Sequence, residues 1–143
     1  MQHKTIRAGA LLLAVFLALA GASGHAQQPI QSGLWQFTSQ GDAPTPSPGS
    51  RAEMNSGFIN CIDPAQSVPI DPKLKCQVNA MDRRGAAVNW STTCITPHGT
   101  FQSQGVAQYS GGTMTGTLST YVPMIGSQVT QRISGRYLGP CTR

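Results

Sequence analysis

The chain has 143 residues, of which only 10% are charged, and its formal net charge is +5. This length fits one domain with a modest core. Surface helices usually carry many Glu and Lys residues, whereas Ser, Thr, Gln and Gly take their place here, which favours β-structure with a polar, uncharged outer face. The positive charge is too small and too scattered to indicate a nucleic-acid partner, so we expect none.

The N-terminal stretch has the three parts of a secretory signal peptide. Lys4 and Arg7 form a basic start, residues 8–20 form an apolar run without charge, and residues 24–26 (Gly-His-Ala) place small side chains before a cut. The run is shorter than the roughly 20 residues of a membrane-spanning helix. We therefore predict a cleaved signal peptide over residues 1–26 and a single periplasmic or secreted β-domain over residues 27–143. No second long apolar stretch follows, so we expect no transmembrane segment in the mature protein.

Strand-like segments then follow one another along the chain, separated by turn residues. The predicted strands are 32–40, 53–62, 75–81, 86–95, 99–110, 113–122 and 127–138. Gly85 and the Gly111-Gly112 pair supply the positive φ angles that two hairpin turns need. The proline-rich stretch 41–50 is predicted to be an extended surface loop. The second proline-rich stretch, 63–74, is predicted to be a connection with at most one helical turn, capped by Asp63.

The last strand shows the period-2 pattern most clearly. Val129, Ile133 and Tyr137 share one face, and the other face is polar. Alternation of this kind is typical of an antiparallel sheet with one face in water. We predict an all-β domain of about seven antiparallel strands, mostly a meander, curled into a barrel-like or sandwich form and stapled by disulfides.

Four cysteines remain after the signal peptide, and their even number predicts two disulfides. Their spacing has no CxxC pattern, which argues against a zinc site. A hairpin turn at Arg84–Gly85 places Cys76 and Cys94 opposite each other or one diagonal apart. This register favours the pairs Cys76–Cys94 and Cys61–Cys141; the set Cys61–Cys76 with Cys94–Cys141 remains open. The favoured set pins the chain's end to the second strand, provided that 63–74 crosses from one end of the sheet to the other.

Several short motifs occur in a characteristic order: SGLWQFT, NCIDP after the proline-rich loop, KCQV, VNWSTTC, GGTMTGTLS and SGRYLGPC. Together they resemble the secreted Gram-negative family called Domain of Unknown Function 3617. The four cysteines and the Gly-Arg-x-x-Gly-x-Cys ending at residues 135–141 are the most specific part. The resemblance covers nearly the whole mature chain, and it implies a periplasmic or secreted location with no established activity.

The residues offer little for catalysis or for a cofactor, so we expect neither. His98, the last histidine in the chain, lies in a predicted turn, and no Gly-x-Ser-x-Gly motif occurs. One alternative is a hydrolase that uses His98 with Asp63, Asp71 or Asp82. Another is a copper-handling protein that combines His98 with thioether ligands, which suit Cu(I); the candidates are Met54, Met81, Met114 and Met124.

Two features offer possible binding surfaces. Arg132 and Arg136 project from one face of the last strand and suit an anionic headgroup or glycan, or are simply solvated. The aromatic side chains form a core or, if the sheet curls, line an apolar pocket; they are Trp35, Phe37, Trp90, Phe101 and Tyr109. The leading hypothesis is a non-catalytic protein that binds a small apolar or amphipathic, lipid-like ligand or another envelope component. A purely structural role is the remaining alternative.

Overall fold

The computed structural model of the chain describes residues 29–45 and 47–142, so the predicted signal peptide lies outside the described residues. The described part forms seven antiparallel strands. They are β1 (Gly33–Pro44), β2 (Arg51–Ile62), β3 (Lys75–Arg84), β4 (Ala87–Thr96), β5 (Gly99–Ser110), β6 (Thr113–Val122) and β7 (Ser127–Gly139), with a short 3₁₀ turn (Pro123–Ile125) between β6 and β7. Within these ranges, no helix has the length and hydropathy of a membrane span.

All strands belong to one sheet in the order β2-β1-β7-β6-β5-β4-β3. Strands β3 to β7 form a continuous meander, and the β1–β2 hairpin joins it because β1 pairs with β7. The sheet does not close, so β2 and β3 are its two edge strands. The all-β, mostly meandering architecture expected from the sequence is therefore confirmed.

The inner face of the sheet holds a core of packed rings. Trp35 lies edge-on to Tyr109 with ring centroids 5.3 Å apart, and Phe37 packs against Phe58 at 5.2 Å. This core lies toward the end of the sheet where β1 begins and β2 ends, which we call the core end. Of the aromatic residues singled out in the sequence, four are buried there and Phe101 is half-buried; the buried ones are Trp35, Phe37, Trp90 and Tyr109.

The connection between β2 and β3, residues 63–74, covers part of this core. The carboxylate of Asp63 accepts hydrogen bonds from the backbone N–H groups of Ala65 and Gln66, at 2.7 and 2.8 Å, which makes a turn and not a helix. Ser67 and Val68 are buried. The Tyr109 hydroxyl donates to the carbonyl of Ser67 at 2.8 Å.

The same connection bridges the two edge strands. The side chain of Asn60 on β2 donates to the Ile70 carbonyl at 2.9 Å, and Arg83 on β3 donates to the Pro64 carbonyl at 2.6 Å. The edges therefore lie on either side of residues 63–74, and the sheet is curled in a barrel-like way without closing. The connection carries the chain from the core end of β2 to the opposite end, where β3 begins.

The disulfides join Cys76 to Cys94 and Cys61 to Cys141, with Cα atoms 4.0 and 5.8 Å apart. This is the pairing that the hairpin register favours. A β-bulge at Asn79 makes the first pair possible: Arg84 faces Ala87, but beyond the bulge the register moves by one residue. In a regular ladder of the same residues Cys76 would face Ile95, the neighbour of Cys94, and would lie on the opposite side of the sheet from Cys94.

The proline-rich stretch 41–50 is more regular than its composition predicts. β1 continues to Pro44 and β2 begins at Arg51, so a loop remains only between them, closed by a hydrogen bond from the Thr45 N–H to the Ser50 carbonyl at 3.1 Å. The pairing of β1 with β7 ends at Gly41. Beyond that point the hairpin is two-stranded, and a proline without an N–H is tolerated there because no ladder on its second side needs the donor.

Removal of either disulfide should destabilise the protein by an amount that depends on the loop it closes. The bonds span 18 and 80 residues. Chain entropy then predicts losses of about 3 kcal/mol for the double serine variant of Cys76 and Cys94, and about 4.5 kcal/mol for that of Cys61 and Cys141. Urea unfolding followed by tryptophan fluorescence measures both. Unfolding midpoints equal to that of the oxidised parent would contradict this expectation.

Gly105 should tolerate no side chain, because the Trp90 ring lies directly on its backbone and a Cβ would overlap that ring. We expect Gly105→Ala to lower the free energy of unfolding by about 1–3 kcal/mol through overpacking. Gly57→Ala is the matched control: it is also in a strand, and its nearest neighbour would be 3.5 Å from the new Cβ. Equal urea midpoints for the two variants would show that the Trp90 contact is unimportant.

Tyr109→Phe should cost about 1–3 kcal/mol at neutral pH, because the Ser67 carbonyl loses its buried donor. Tyr121→Phe, at a position 50% exposed, should be neutral.

Burial also raises the pKa of the Tyr109 phenol. The unfolded chain releases this proton at about pH 10 whereas the native state keeps it, so native stability should fall above that pH. Urea titrations at pH 7 and above pH 10 test both effects; Tyr109→Phe should lose less stability at high pH than the parent.

Candidate binding surface on the outer face

The outer face of the sheet is built from short polar side chains. Strand alternation turns the apolar residues inward, so that Thr, Ser, Gln and Asn residues of five neighbouring strands point outward. Some of the hydroxyls bond to each other across strands: Thr38 with Ser134 at 2.8 Å, and Ser119 with Thr130 at 3.2 Å. The result is a broad surface that offers both donors and acceptors and carries little charge.

Strand pairing sets these side chains in rows that run across the sheet. One row passes through Gln40, Arg132, Thr117, Val106, Asn89 and Asp82, each paired in register with the next. In the order of the sheet, the row crosses β1, β7, β6, β5, β4 and β3, which makes five steps between neighbouring strands. At about 4.8 Å per step, the row is about 24 Å long.

Two grooves of about 490 and 480 Å³ follow this row. The first reaches from β3 to β6 and includes Asn89, Ser91 and Gln104 in its lining; the second reaches from β5 to β1 and includes Gln40 and Arg132. Val106 and Thr117 line both. Because these two side chains are short, nothing long stands between the grooves, and together we call them the outer groove.

Two cations on this face, Arg132 and Arg136, have no acidic partner among the described residues. The two ion pairs of the described residues join Arg51 to Asp42 and Arg84 to Asp82. Arg132 takes part in neither, and Arg136 donates only to the neutral side chain of Gln36, at 3.0 Å. Both arginines are exposed on the outer face of β7, four residues apart, so their Cα atoms are about 13 Å apart along the strand. The outer face is thus locally positive and able to attract an anion.

The inner face looks different. Its largest rings pack against each other and against the connection 63–74, and Trp35, Phe37 and Tyr109 are fully buried. Further from the core end, buried hydroxyls pair with hydroxyls of neighbouring strands: Ser39 with Ser56 at 2.7 Å, and Ser103 with Thr120 at 2.8 Å. The aromatic residues therefore serve as core.

The residues of the hydrolase alternative lie at different places in the fold. His98 is exposed in the turn between β4 and β5, at the end of the sheet opposite the core end. Asp63 and Asp82 lie toward the core end, and the Asp71 carboxylate accepts from the backbone of Lys73 at 2.9 Å. The structure does not bring these groups together as a catalytic set.

The methionines of the copper alternative are distributed over four elements. Met114 is buried in the core opposite Tyr109, whereas Met124 is exposed in the 3₁₀ turn. Met81 accepts a weak hydrogen bond from the Ser67 hydroxyl at 3.9 Å. In the part of the chain that the structure describes, no group of three or more His, Cys, Asp or Glu side chains is arranged to hold a metal ion.

Sequence reasoning identified Arg132 and Arg136 but missed the outer groove. The signal was present as Thr, Ser and Gln at alternate positions of successive strands. What could not be deduced is which of them share a row, because that depends on the pairing of β1 with β7 across most of the chain's length.

These features define a class of protein: an all-β domain with one open antiparallel sheet, two disulfides that suit an oxidising compartment, and a polar outer face. The chain belongs to the family described as "Protein of unknown function (DUF3617)", whose model matches residues 30–141. The matched span contains all seven strands and both disulfides. No curated protein and no solved structure matches the chain.

Proposed function

We propose that the protein is a non-catalytic binding protein of the periplasm, which uses its outer face to hold an anionic group of a cell-envelope component. The observation that carries this proposal is that Arg132 lines the outer groove and Arg136 is exposed four residues further along the same face of β7, both without a carboxylate partner among the described residues. The predicted signal peptide and the two disulfides support the location.

The guanidinium group suits this role because its planar fork donates two parallel hydrogen bonds to a carboxylate or phosphate. An exposed ion pair alone contributes little in water. Here Gln40 and Ser134 flank Arg132 in the outer groove, so an anion held by the arginine also meets neutral donors. Several weak contacts together can then give useful affinity.

A lipid-like ligand would reach this surface by its polar headgroup. The inner face is the weaker candidate, because its rings are already packed against one another and covered by residues 63–74. A catalytic role has no support from the positions of His98 and the carboxylates described above.

Binding should depend on the two arginines. The oxidised protein of residues 27–143 is titrated with polygalacturonate by calorimetry and with vesicles of phosphatidylglycerol and phosphatidylcholine by co-sedimentation. We expect at least one probe to bind, more weakly at high salt. Arg132→Gln/Arg136→Gln should weaken binding by about tenfold or more, which equals about 1.4 kcal/mol.

The control is Lys73→Gln/Lys75→Gln, which removes the same charge from exposed positions without an ion pair among the described residues, outside the outer groove. It should bind within about twofold of the parent. If both double variants lose affinity equally, binding is only a response to net charge and the proposal is wrong. It is also wrong if neither probe binds to the parent.

A further inference from the structure

We infer that the ligand is an extended acidic polysaccharide that lies across the strands, along the outer groove from β1 to β3. This inference rests on the proposed function and specifies its ligand. It draws on three observations: the shape of the groove, the state of its polar side chains and the distribution of charge.

The shape fits a chain better than a single headgroup. A compact anion is normally held in one concave site where a few polar groups converge. Here the two grooves adjoin at Val106 and Thr117 and follow a row about 24 Å long, at about 4.8 Å per strand. A linear chain of several sugars could occupy this length, whereas one phosphate with its glycerol would contact only a small part.

The polar side chains of the groove are available for a ligand. On the same face, some hydroxyls and amides bond to one another, as Thr38 does with Ser134 at the margin of the groove and Asn79 with Thr93 outside it. Along the groove, six uncharged polar side chains form no hydrogen bond with another described residue; they are Gln40, Asn89, Ser91, Gln104, Thr115 and Thr117. Hydroxyls and carboxamides both donate and accept, which matches the hydroxyl groups of a sugar.

Charge selects an acidic chain over a neutral one. Arg132 stands in the row without an ion pair, with Arg136 near it on the same strand. The carboxylate at the far end of the row, Asp82, is compensated by Arg84 at 3.1 Å. The groove therefore has an excess of positive charge near its β1 end, at Arg132 on β7, where the acidic groups of the saccharide would bind.

The same surface is poorly suited to a bilayer. A face that lies on a membrane needs a cluster of apolar side chains or a dense group of cations. Two exposed large apolar side chains line the outer groove: Val106, 49% exposed, and Met81, 39% exposed at the β3 end, whose sulfur accepts from Ser67. Two such side chains on strands β5 and β3 do not form an apolar cluster. Vesicle binding is therefore the outcome that opposes this inference.

The length of the saccharide is the variable that tests this inference. The oxidised protein of residues 27–143 is titrated by calorimetry and by amide NMR shifts with oligogalacturonides from the monomer to the octamer. We expect affinity to rise by about tenfold or more between the dimer and the hexamer and then to level off once the groove is filled. The amide shifts should extend from β1 to β3 with the hexamer and stay near Arg132 with the monomer.

Thr117→Tyr places a ring where the two grooves meet, and Val106→Tyr is a second blocking variant. Both positions are on strands, where Tyr is favoured. The matched control is Thr100→Tyr, on the outer surface of β5 and away from both grooves. Either blocking variant, if its amide spectrum remains native, should weaken hexamer binding about tenfold; the control should bind as the parent does.

The outcomes separate this inference from the proposed function. If affinity does not depend on length, or if only phosphatidylglycerol vesicles bind and they require Arg132 and Arg136, the ligand is not an extended polysaccharide, but the proposed function stands. If blocking variants that fold natively bind the hexamer normally, the path along the groove is wrong. If neither the saccharides nor the vesicles bind, both the inference and the proposed function are wrong.

Discussion

The fold depends on how one open sheet buries its apolar face without a second layer. The solution is the connection 63–74, which lies between the edge strands and over the rings of the core. Tyr109 holds it through the Ser67 carbonyl, and the edges hold it through Asn60 and Arg83. Because a buried carbonyl without a donor is costly, these bonds fix the path of a segment that has no regular structure of its own. The sheet can thus curl around its rings and remain open.

The disulfides act on the parts of the sheet where hydrogen bonding alone is weakest. β2 and β3 each have a strand neighbour on one side only, and each is covalently tied at one end: β2 to the chain's end through Cys61, and β3 to β4 through Cys76. Edge strands are where a sheet frays or pairs with another chain. A domain this small has little core to compensate for a loose edge. The crosslinks and the connection 63–74 therefore stabilise the same two strands.

The sequence predicted the features that depend on local pattern and missed those that depend on register. Period-2 alternation correctly placed Trp35 and Ile133 on one face and Arg132 on the other. The turn glycine at 85 led to the right partner for Cys76. The bulge at Asn79 has no comparable local signal, because an asparagine in a polar, exposed edge strand is equally compatible with a regular ladder. The sequence prediction ended β1 too early, at residue 40, because prolines in general argue against a strand. Pro44 is acceptable in β1 because β7 no longer pairs with β1 at this position.

The two faces of the sheet have different physical roles, and they therefore differ in how freely their residues can be substituted. On the inner face, Gly105 and Gly135 leave room for the rings of Trp90 and Phe37, so a change there alters packing at once. On the outer face, Thr117 and Gln104 contribute their backbones to the sheet, while their side chains meet only water and neighbours. Substitution of an exposed polar residue by another costs little stability. The residues of the outer groove can therefore vary while the core and the disulfides keep its row of side chains in register, which is the arrangement expected of a rigid scaffold.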